Sequence, residues 1–511
     1  MIIDDSHYYR FSTRVSGKEY ALDVSPDGTG RLLSARPADV SGQYWRVRPR
    51  GDGQYLMTCA YLGEALSLTM SKNGSVRLAP TDLSAGQSWT IEGDARGSYT
   101  LVNLLGGPRM CLRVHNGSFR ATNSTAKRQR HLRWALTSLA PVAPAQSLPP
   151  FREAPGVYCP EGPTDFQFYE RPFGTLKAVM LFVDFPDAPG DPSSLSDTAE
   201  HLLGNGRAQA LFSEQSYGAC QVEVDVRSDL GWKRLGESSG AYDCHEFASH
   251  RRYLADAAAR FAGEVSFPDY RFVLIVASPS ALFPDSPAFN ARPGEGAVVD
   301  NHEIRLAVTF GRDSYRNSYI NLVHEVSHLM GLPDLYPYGG NADKSRAGCW
   351  DIMSDIFHCT TFLGWHRHKN GWLPVERILF LPEPQQDRYV TLSPLSSRFG
   401  ISMIVLPIDD PQRPGRVFVV ELAQPRVGAV DGSRREGLLI YTVDVTIPTG
   451  HSPVVVQPRI VSTSPDEGYL CEAAYRLGDS ASVIEAGAGL NLWVLQQFGD
   501  CFHVKLQSRR L

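Results

Sequence analysis

The stretch NLVHEVSHLMGLPDLY, residues 321–336, decides which fold and chemistry the centre of this chain should have. Apolar residues recur through it at helical spacing, and they stop at Gly331, the residue type that commonly ends a helix in a left-handed turn. Aspartate and serine are favoured at the start of a helix. We therefore predict one helix that begins at Asp313 or Ser314 and ends at Met330.

The side of this helix opposite its apolar stripe is polar but lacks lysine and arginine, although a solvated face of this length normally includes one. Its residues are Asn321, His324, Glu325 and His328. The two histidines are four residues apart, so their rings lie on the same side and can reach one ion. Imidazole nitrogen is a usual zinc ligand, and HExxH predicts a zinc site with the glutamate as general base. The bland alternative is two unrelated core or surface histidines.

The residues after the helix can supply a third ligand. Gly331 is expected to reverse the chain, and the carboxylate of Asp334 follows three residues later, where it can return to the two imidazoles. Catalytic zinc commonly takes three protein ligands and keeps one position for water. Asp343, Asp351 and His358 remain alternatives for that third position.

Met353 lies in the polar segment CWDIMSD, where an isolated methionine is unusual unless it packs beneath another group. HEVSHLMGLPD together with this methionine resembles the metzincin metallopeptidases, which combine an elongated zinc motif with a Met-turn. Most metzincins have a third histidine where this chain has Asp334. The resemblance implies a zinc ion held by His324, His328 and Asp334. It also implies that Glu325 is the general base and that Met353 forms a hydrophobic floor below the metal.

A narrower resemblance is to the immune inhibitor A family of metallopeptidases, and it covers roughly residues 170–511. The similar segments are VDFPD (183–187), EQSYG (214–218), HEVSHLMGLPDLY (324–336), WDIMS (350–354), KNGW (369–372) and GLLIYTVD (437–444). This resemblance implies a zinc endopeptidase that acts on protein or peptide substrates.

The first 138 residues contain a threefold repeat. The recurring markers are Trp45, Trp89 and Trp134, Tyr9, Tyr55 and Tyr99, and the segments ALDV, ALSL and CLRV around Leu22, Leu66 and Leu112. Short apolar strands alternate with glycine, asparagine and aspartate turns in each unit. This pattern predicts three β units that close around one core containing the tryptophans.

The repeated segment resembles the ricin B-type β-trefoil lectins, whose units carry a Gln-x-Trp signature. The resemblance covers residues 5–138 and rests on QYW at 43–45 and QSW at 87–89, while Leu132 replaces the glutamine in the third unit. It implies an all-β trefoil fold for the amino-terminal region.

The sugar site of that lectin family is only partly present. It combines an aspartate in the ALDV-like strand, a stacking aromatic ring and an asparagine before the glutamine. Asp23 remains, but Ser67 and Arg113 take its place in the other units, Gly42 precedes Gln43, and we find no stacking aromatic. A carbohydrate site at Asp23 and Gln43, a scaffold role and a protein-binding role are all left open.

The chain should therefore be multidomain. We expect an all-β trefoil over residues 1–138, a proline-rich linker over 139–163, a central α/β metzincin-like zinc peptidase domain over 164–380, and an all-β, sandwich-like domain over 381–511. Buried apolar runs and one helical period before the zinc motif favour the α/β layer. The strand-like pieces beyond residue 380, separated by turn residues, favour the sandwich.

Composition excludes several function classes. The 511 residues are 42% hydrophobic and 21% charged with a formal net charge of −5, so neither nucleic acid nor a charged membrane surface is an expected partner. No apolar run approaches the roughly 18 residues of a transmembrane helix. The start, MIIDDSHYYRF, lacks the features of a secretory signal, so we expect a cytoplasmic protein or release by a non-classical route. Nine scattered cysteines fit a reducing compartment or a few bridges.

Weaker candidates complete the functional residues. His366 and His368, in GWHRHKNGW, would contact substrate or, as is commoner, be exposed loop histidines. Cys159 precedes the catalytic block, where a thiolate could cap the zinc and keep the enzyme latent. The oxygen-rich segments VDFPD and DSPAFN make Ca²⁺ a further candidate, although neither has an EF-hand spacing.

These features predict a zinc-dependent endopeptidase with a lectin-like module that delivers it to glycans or glycoproteins, because linked modules raise local concentration. A defence or toxin role extends that pairing. Two alternatives remain: a carbohydrate-binding lectin with an inactive peptidase domain, and a peptidase whose trefoil binds protein rather than sugar.

Overall fold

The protein, seen in a computed structural model, is mostly β, with few helices and several separate sheets. The structure describes residues 3, 7–25, 29–38, 41–82, 84–94, 97–123, 133–141, 158–338, 345–397, 400–408, 415–423, 437–459, 469–498 and 500–511. No helix within these ranges has the length and apolarity needed to cross a membrane.

The amino-terminal region consists of twelve strands that pair within one sheet. They are β1 (His7–Val15), β2 (Lys18–Val24), β3 (Leu32–Ala35), β4 (Trp45–Gly51), β5 (Gln54–Cys59), β6 (Gly63–Met70), β7 (Val76–Pro80), β8 (Trp89–Gly93), β9 (Tyr99–Asn103), β10 (Met110–His115), β11 (Ser118–Asn123) and β12 (Ala135–Pro141). The repeat markers are main-chain partners in all three units: Tyr9 with Trp45, Tyr55 with Trp89, and Tyr99 with Trp134. The predicted threefold repetition is therefore present in the backbone pairing.

The three tryptophans are fully buried in one core. Each indole N–H donates to a leucine carbonyl: Trp45 to Leu22 at 2.9 Å, Trp89 to Leu68 at 2.8 Å and Trp134 to Leu112 at 3.2 Å. These bonds satisfy polar groups that would be costly to bury alone. They also correct the sequence alignment, because Leu68 rather than Leu66 is the counterpart of Leu22. Thr69, not Ser67, therefore occupies the position of Asp23.

The amino-terminal region contacts the carboxy-terminal part of the chain. The Tyr61 hydroxyl lies 2.8 Å from Sγ of Cys501, a pair that is buried. The guanidinium carbon of Arg388 lies 5.6 Å from the centre of the Tyr44 ring. The trefoil-like region is thus packed against its neighbour in this structure.

The central region is built on a largely parallel sheet with the strand order β14-β13-β16-β20-β17. Its strands are β13 (Gly174–Asp184), β14 (Cys220–Val226), β15 (Lys233–Arg234), β16 (Phe272–Ala277), β17 (Ala288–Asn290) and β20 (Leu306–Phe310), and β18 (Ala297–Val299) pairs with β19 (His302–Ile304) as a separate ribbon. The helices are α1 (Leu195–Leu203), α2 (Arg207–Gln215), α3 (Phe247–Ala259), α4 (Ser314–Asn317), α5 (Tyr319–Leu329) and α6 (Gly364–Lys369). β17 alone of the main path is antiparallel to its neighbour, and it forms an edge of the sheet.

Both faces of this sheet are covered. On β13, Met180 and Phe182 face the core that contains α1, α2 and α5, whereas Val179 and Leu181 face the core that contains α3. Continuous apolar strands are typical of a parallel sheet buried on both sides. Helix α5 is thus packed against one face of the sheet, together with α1 and α2.

The predicted single helix before Gly331 begins where expected, because α4 starts at Ser314 with Asp313 at its N-cap position. The helix is not continuous, however: it is divided into α4 and α5 at Ser318, whose φ of 55° no regular helix allows. The Asp313 side chain makes no capping hydrogen bond; its carboxylate instead accepts from the hydroxyl of Ser286 and from the amide of Asn321.

The carboxy-terminal region contains two sheets. One comprises β21 (Ile378–Phe380), β23 (Met403–Ile408), β24 (Arg416–Ala423), β25 (Gly437–Asp444) and β26 (Val454–Val456); the other comprises β22 (Arg388–Leu392), β27 (Ser480–Glu485), β28 (Ala488–Phe498) and β29 (Cys501–Arg510). Side chains alternate along β23, so that Ile404 and Leu406 join the core between the sheets while Met403 and Val405 join the core around α5. The first sheet is therefore shared by both cores.

One disulfide joins Cys349 to Cys471 across 122 residues, and the seven cysteines outside it are buried. The bridge links the segment just before Met353 to the carboxy-terminal region.

Candidate metal centre

Helix α5 carries His324, Glu325 and His328, and most of the residues of this helix are buried. His324 is 4% exposed and Glu325 is 8% exposed. The opposite side of the helix packs into the core through Leu322, Val323 and Val326. The polar arc predicted from the sequence therefore faces the interior of a cleft instead of bulk solvent.

The turn after α5 brings Asp334 back towards the two histidines. Gly331 has a φ of 88°, and the N–H of Leu332 donates to the carbonyl of Ser327, which is the bond pattern of a glycine-ended helix. The N–H of Asp334 then donates to the Thr449 hydroxyl at 2.9 Å, and the N–H of Gly450 donates to the Asp334 carbonyl at 3.2 Å. Asp334 is thus held from the carboxy-terminal region.

Three potential ligand atoms meet at one point. Nε2 of His324 lies 3.1 Å from Oδ1 of Asp334, Nε2 of His328 lies 3.4 Å from the same oxygen, and the two nitrogens are 3.2 Å apart. Tetrahedral zinc with bonds near 2.0 to 2.1 Å needs its ligand atoms about 3.3 to 3.4 Å apart. Among the described residues this is the only cluster of three histidine, cysteine or acidic side chains with such geometry. The donor set therefore fits Zn²⁺ in both type and spacing.

The other ring nitrogens fix the direction of these ligands. Nδ1 of His324 lies 3.1 Å from the Ile352 carbonyl, and Nδ1 of His328 lies 2.8 Å from the Leu332 carbonyl. A carbonyl can only accept, so each neutral ring carries its hydrogen on Nδ1 and turns the lone pair of Nε2 towards Asp334. Oδ1 of Asp334 is buried and lacks a properly oriented hydrogen bond within the described part of the chain. Three lone pairs facing one another require a cation between them.

The histidines and Asp334 shift each other's pKa in opposite directions, because each stabilises the charged form of the other. Burial would lower the pKa of His324, but its contact with Asp334 and the charge of Glu325 outweigh burial and raise that pKa to about 9. Burial would raise the pKa of Asp334, yet the two histidines hold it well below its usual range. Burial also raises the pKa of Glu325 to about 7, because its carboxylate is partly desolvated.

Met353 is fully buried in the turn that supports both ligand segments. Its carbonyl accepts from the N–H of Leu335, and the preceding carbonyl, of Ile352, is the partner of His324. Oδ1 of Asp351 accepts from the N–H of Met353 at 2.8 Å and stabilises the turn. The Met353 side chain belongs to the hydrophobic core around α5, and Met353 is not among the residues that line the cleft.

The alternative third ligands have other placements. Asp343 lies outside the described residues. Asp351 is turned away into the interior, where Oδ2 accepts from the N–H of Leu363 at 2.7 Å. His358 is exposed, and its Nδ1 lies 2.8 Å from Asp355. Among the candidates that the structure describes, only Asp334 meets the two histidines.

The expectation that His366 and His368 are exposed loop residues is wrong. Both belong to α6, and His366 is 1% exposed. Its Nε2 lies 2.9 Å from Oε1 of Glu161, and its Nδ1 lies 2.9 Å from Oδ2 of Asp351. Sequence reasoning missed this trio because Glu161 is about 200 residues away in the chain. It ties the segment before the sheet to the Met353 turn.

Cys159 lies in the cleft wall but outside the ligand cluster. Its thiol donates to the Gly331 carbonyl at 3.7 Å, and burial raises the pKa of the thiol to about 11. Glu161, two residues further on, is 1% exposed. Residues 158–163, assigned to the linker by sequence, are therefore packed against the cleft, whereas residues 142–157 lie outside the described part.

The calcium candidates are engaged by hydrogen-bond donors. Both carboxylate oxygens of Asp184 accept from Arg234 at 2.7 Å. Asp187 accepts from the N–H and the hydroxyl of Ser239 at 2.8 and 2.7 Å. Asp285, from the DSPAFN segment, is exposed beside His245 at 3.6 Å. None of these groups forms an oxygen cage in this structure's described residues.

The metal centre opens into a cleft of about 1160 Å³. Tyr336 stacks near His324 with ring centres 6.4 Å apart, and Tyr338 donates its hydroxyl to Oδ2 of Asp334. Exposed aromatic side chains at the rim include Tyr158 and Phe357. Pockets for small ligands are commonly about 300 to 1,000 Å³, so this cleft has room for a longer, extended ligand.

In the trefoil-like region, Asp23 and Gln43 are hydrogen-bonded to each other. Nε2 of Gln43 donates to Oδ2 of Asp23 at 3.0 Å, and the N–H of Val24 donates to Oδ1 at 2.7 Å. Gln87 makes the corresponding bond to Thr69 at 3.1 Å. The glutamine therefore has a structural role in two units, and only the first unit presents a carboxylate.

No protein-family model matches the chain, and no curated protein matches it. Similar solved structures cover about a quarter of it. The designed three-fold symmetric protein ThreeFoil is 22% identical, with 26% of this chain and 99% of that chain covered and a TM-score of 0.23. SeviL, solved bound to the asialo-GM1 saccharide, is 16% identical over 26% of this chain and 98% of its own, with a TM-score of 0.22. Cry35Ab1 is 18% identical over 27% and 37% of the two chains, with a TM-score of 0.24. At these TM-scores the likeness to the whole chain is slight.

Proposed function

We propose that this protein is a zinc-dependent endopeptidase of metzincin type. The observation that carries the proposal is the meeting of three ligand atoms, 3.1 to 3.4 Å apart, beside a buried glutamate in a long cleft. A zinc ion bound by His324, His328 and Asp334 would polarise a water molecule and the scissile carbonyl group.

Glu325 is the proposed general base. Glu325 lines the cleft beside the three ligands, so its carboxylate can accept a proton from water and return it to the leaving amine. The carbonyls of Ile352 and Leu332 hold the two imidazoles in their ligating orientation. Tyr338 binds Oδ2 of Asp334, which directs Oδ1 towards the histidines.

Metal content and casein hydrolysis test this function together. Wild-type protein should hold one zinc ion and cleave casein, and a chelator should stop cleavage. Glu325→Gln should keep the zinc and lose about 10² to 10⁴ of the rate, since a general base contributes about that factor. Glu200→Gln is a matched control because Glu200 is exposed on α1 and lies away from the cleft.

Absence of both zinc binding and cleavage would change the proposed function. If the wild-type protein binds no zinc and cleaves nothing after zinc is supplied, the endopeptidase proposal fails. The protein would then be better described as a carbohydrate-binding lectin with an inactive peptidase domain.

We further propose that the trefoil-like region binds a glycan through its first unit. The retained Asp23, held in place by Gln43, is what favours this candidate over a purely structural role. Asp23→Ala should abolish binding on a glycan array, whereas Thr69→Ala, at the corresponding position of the second unit, should leave it unchanged. An array without any bound glycan would favour a protein-binding or scaffold role instead.

A further inference from the structure

The cleft beside the candidate metal centre is lined by acidic residues and by no lysine or arginine among the described residues. Thirty residues line it in the described part of the chain; six carry a carboxylate and none is lysine or arginine. These two cationic types make up 50 of the 511 residues, so a few would be expected in a set of this size. A positively charged ligand group entering the cleft therefore meets acceptors and no permanently charged competitor among these residues.

A buried acceptor indicates where such a group would bind. Asn290 is on the edge strand β17 and lines the cleft, while its neighbour Phe289 packs into the core on the other side. Asn290 is 9% exposed, and its Oδ1 has no hydrogen-bond partner among the described residues. A buried amide oxygen without a donor is costly, so it is open to an N–H group of a ligand.

A charged acceptor lies on the same wall. Asp285, five residues before Asn290, also lines the cleft, and its side chain is 64% exposed. Nε2 of His245, a side chain that is itself 62% exposed, lies 3.6 Å from the Asp285 carboxylate. β17 packs against α5, the helix that carries Glu325, so this wall adjoins the metal centre.

We propose that Asn290 and Asp285 form a specificity pocket for a lysine or arginine side chain of the substrate, close to the bond that is cleaved. This inference rests on the proposed endopeptidase function. Ammonium and guanidinium groups supply several N–H donors and a positive charge, so they satisfy both acceptors. Apolar and acidic side chains leave Oδ1 of Asn290 unpaired, and sites built around a hydrogen bond reject ligands that lack it.

Internally quenched peptides test the pocket. One series varies each residue around the cleavage site among Lys, Arg, Gln, Leu and Glu, with zinc-loaded full-length protein and kcat/KM as readout. At one position, Lys or Arg should be preferred over Gln by about tenfold, as expected for a charge-assisted hydrogen bond. Asp285→Asn should reduce that preference by about three- to tenfold while changing cleavage of the Gln peptide little. Asn290→Leu should reduce cleavage of the Lys, Arg and Gln peptides relative to the Leu peptide by about three- to tenfold, because all three side chains carry N–H donors for Oδ1.

Glu200→Gln removes one negative charge, as Asp285→Asn does, so it is the control for overall charge and should leave the preference unaltered. Equal cleavage of all peptides, or a preference for Lys and Arg that both pocket variants retain, overturns the pocket and leaves the endopeptidase proposal standing. Absence of cleavage in every peptide overturns both. Asn290 is buried, so its variant needs a matching circular dichroism spectrum; should it misfold, the exposed Asp285 variant decides.

Discussion

Replacing His366 with glutamine should weaken the protein sharply, because His366 is the positive centre of a buried ion-pair network. Its two ring nitrogens each lie 2.9 Å from a carboxylate oxygen, of Glu161 and Asp351, and none of the three residues is more than 1% exposed. Burial would lower the pKa of His366, but the two carboxylates outweigh it and raise the pKa to about 10. Glutamine keeps an amide donor but removes the charge.

Two estimates of the free energy of unfolding that His366→Gln removes agree in magnitude. Removing one partner of a buried ion pair costs about 3 to 5 kcal/mol. The rise of the pKa from 6.5 to about 10 corresponds to about 5 kcal/mol, at about 1.36 kcal/mol for each pKa unit. Because the pKa is higher in the folded state, this stability is fully present below pH 6.5 and is lost as the pH rises through 10.

Denaturant unfolding at pH 6 and pH 10, followed by tryptophan fluorescence, measures the effect. His366→Gln should unfold at a much lower denaturant concentration than wild type at pH 6, and the gap should narrow at pH 10. His368→Gln is the matched control on the same helix, because burial lowers the pKa of His368 to about 4 and leaves it neutral at both pH values. Equal stability of His366→Gln and wild type at pH 6, or a gap that does not depend on pH, would refute this account.

Three further changes have definite expected results. Asp334→Asn should reduce zinc content in a metal assay, because an amide oxygen lacks the negative charge that Oδ1 offers between the two imidazoles. The double variant Cys349→Ser, Cys471→Ser should lower the free energy of unfolding by about 5 kcal/mol, because it opens a 122-residue loop in the unfolded chain. A reducing agent should lower the stability of wild type by the same amount and leave that of the double variant unchanged. Trp89→Phe should cost about 2 kcal/mol in denaturant unfolding, because it leaves the Leu68 carbonyl without its donor, whereas Trp232→Phe, whose donor is exposed, should cost less.

The part of the site that the sequence could predict is the part that local geometry decides. His324 and His328 share a face because they are four residues apart on one helix, and this holds in any tertiary setting. Gly331 allows the reversal that brings Asp334 back within three residues. The repeat markers of the amino-terminal region were equally visible, because each tryptophan recurs at nearly constant spacing.

The features that the sequence could not predict depend on contacts between distant segments. Helix α4 stops after Asn317, where Ser318 takes a φ of 55°, and the Asp313 carboxylate before α4 bonds to Ser286 and Asn321 instead of capping the helix. By contrast, the sequence spacing itself supports the corrected alignment of the second repeat unit: Leu22, Leu68 and Leu112 each follow the tyrosine marker of their unit by 13 residues (9 to 22, 55 to 68 and 99 to 112). The bonds of Trp89 to Leu68 and of Gln87 to Thr69 agree with that spacing and place Thr69, not Ser67, at the position of Asp23.

The candidate metal centre is formed by residues from both sides of the domain boundary that the sequence predicts at residue 380. The histidines come from α5, but Asp334 is held by Thr449 and Gly450, which follow strand β25. The Met353 turn is likewise fixed from that side, since the indole of Trp350 donates to the Leu470 carbonyl at 2.6 Å. The position of the third ligand therefore has two sources: the local reversal at Gly331, which brings Asp334 back towards the histidines, and the contacts of Thr449 and Gly450, which hold its backbone there.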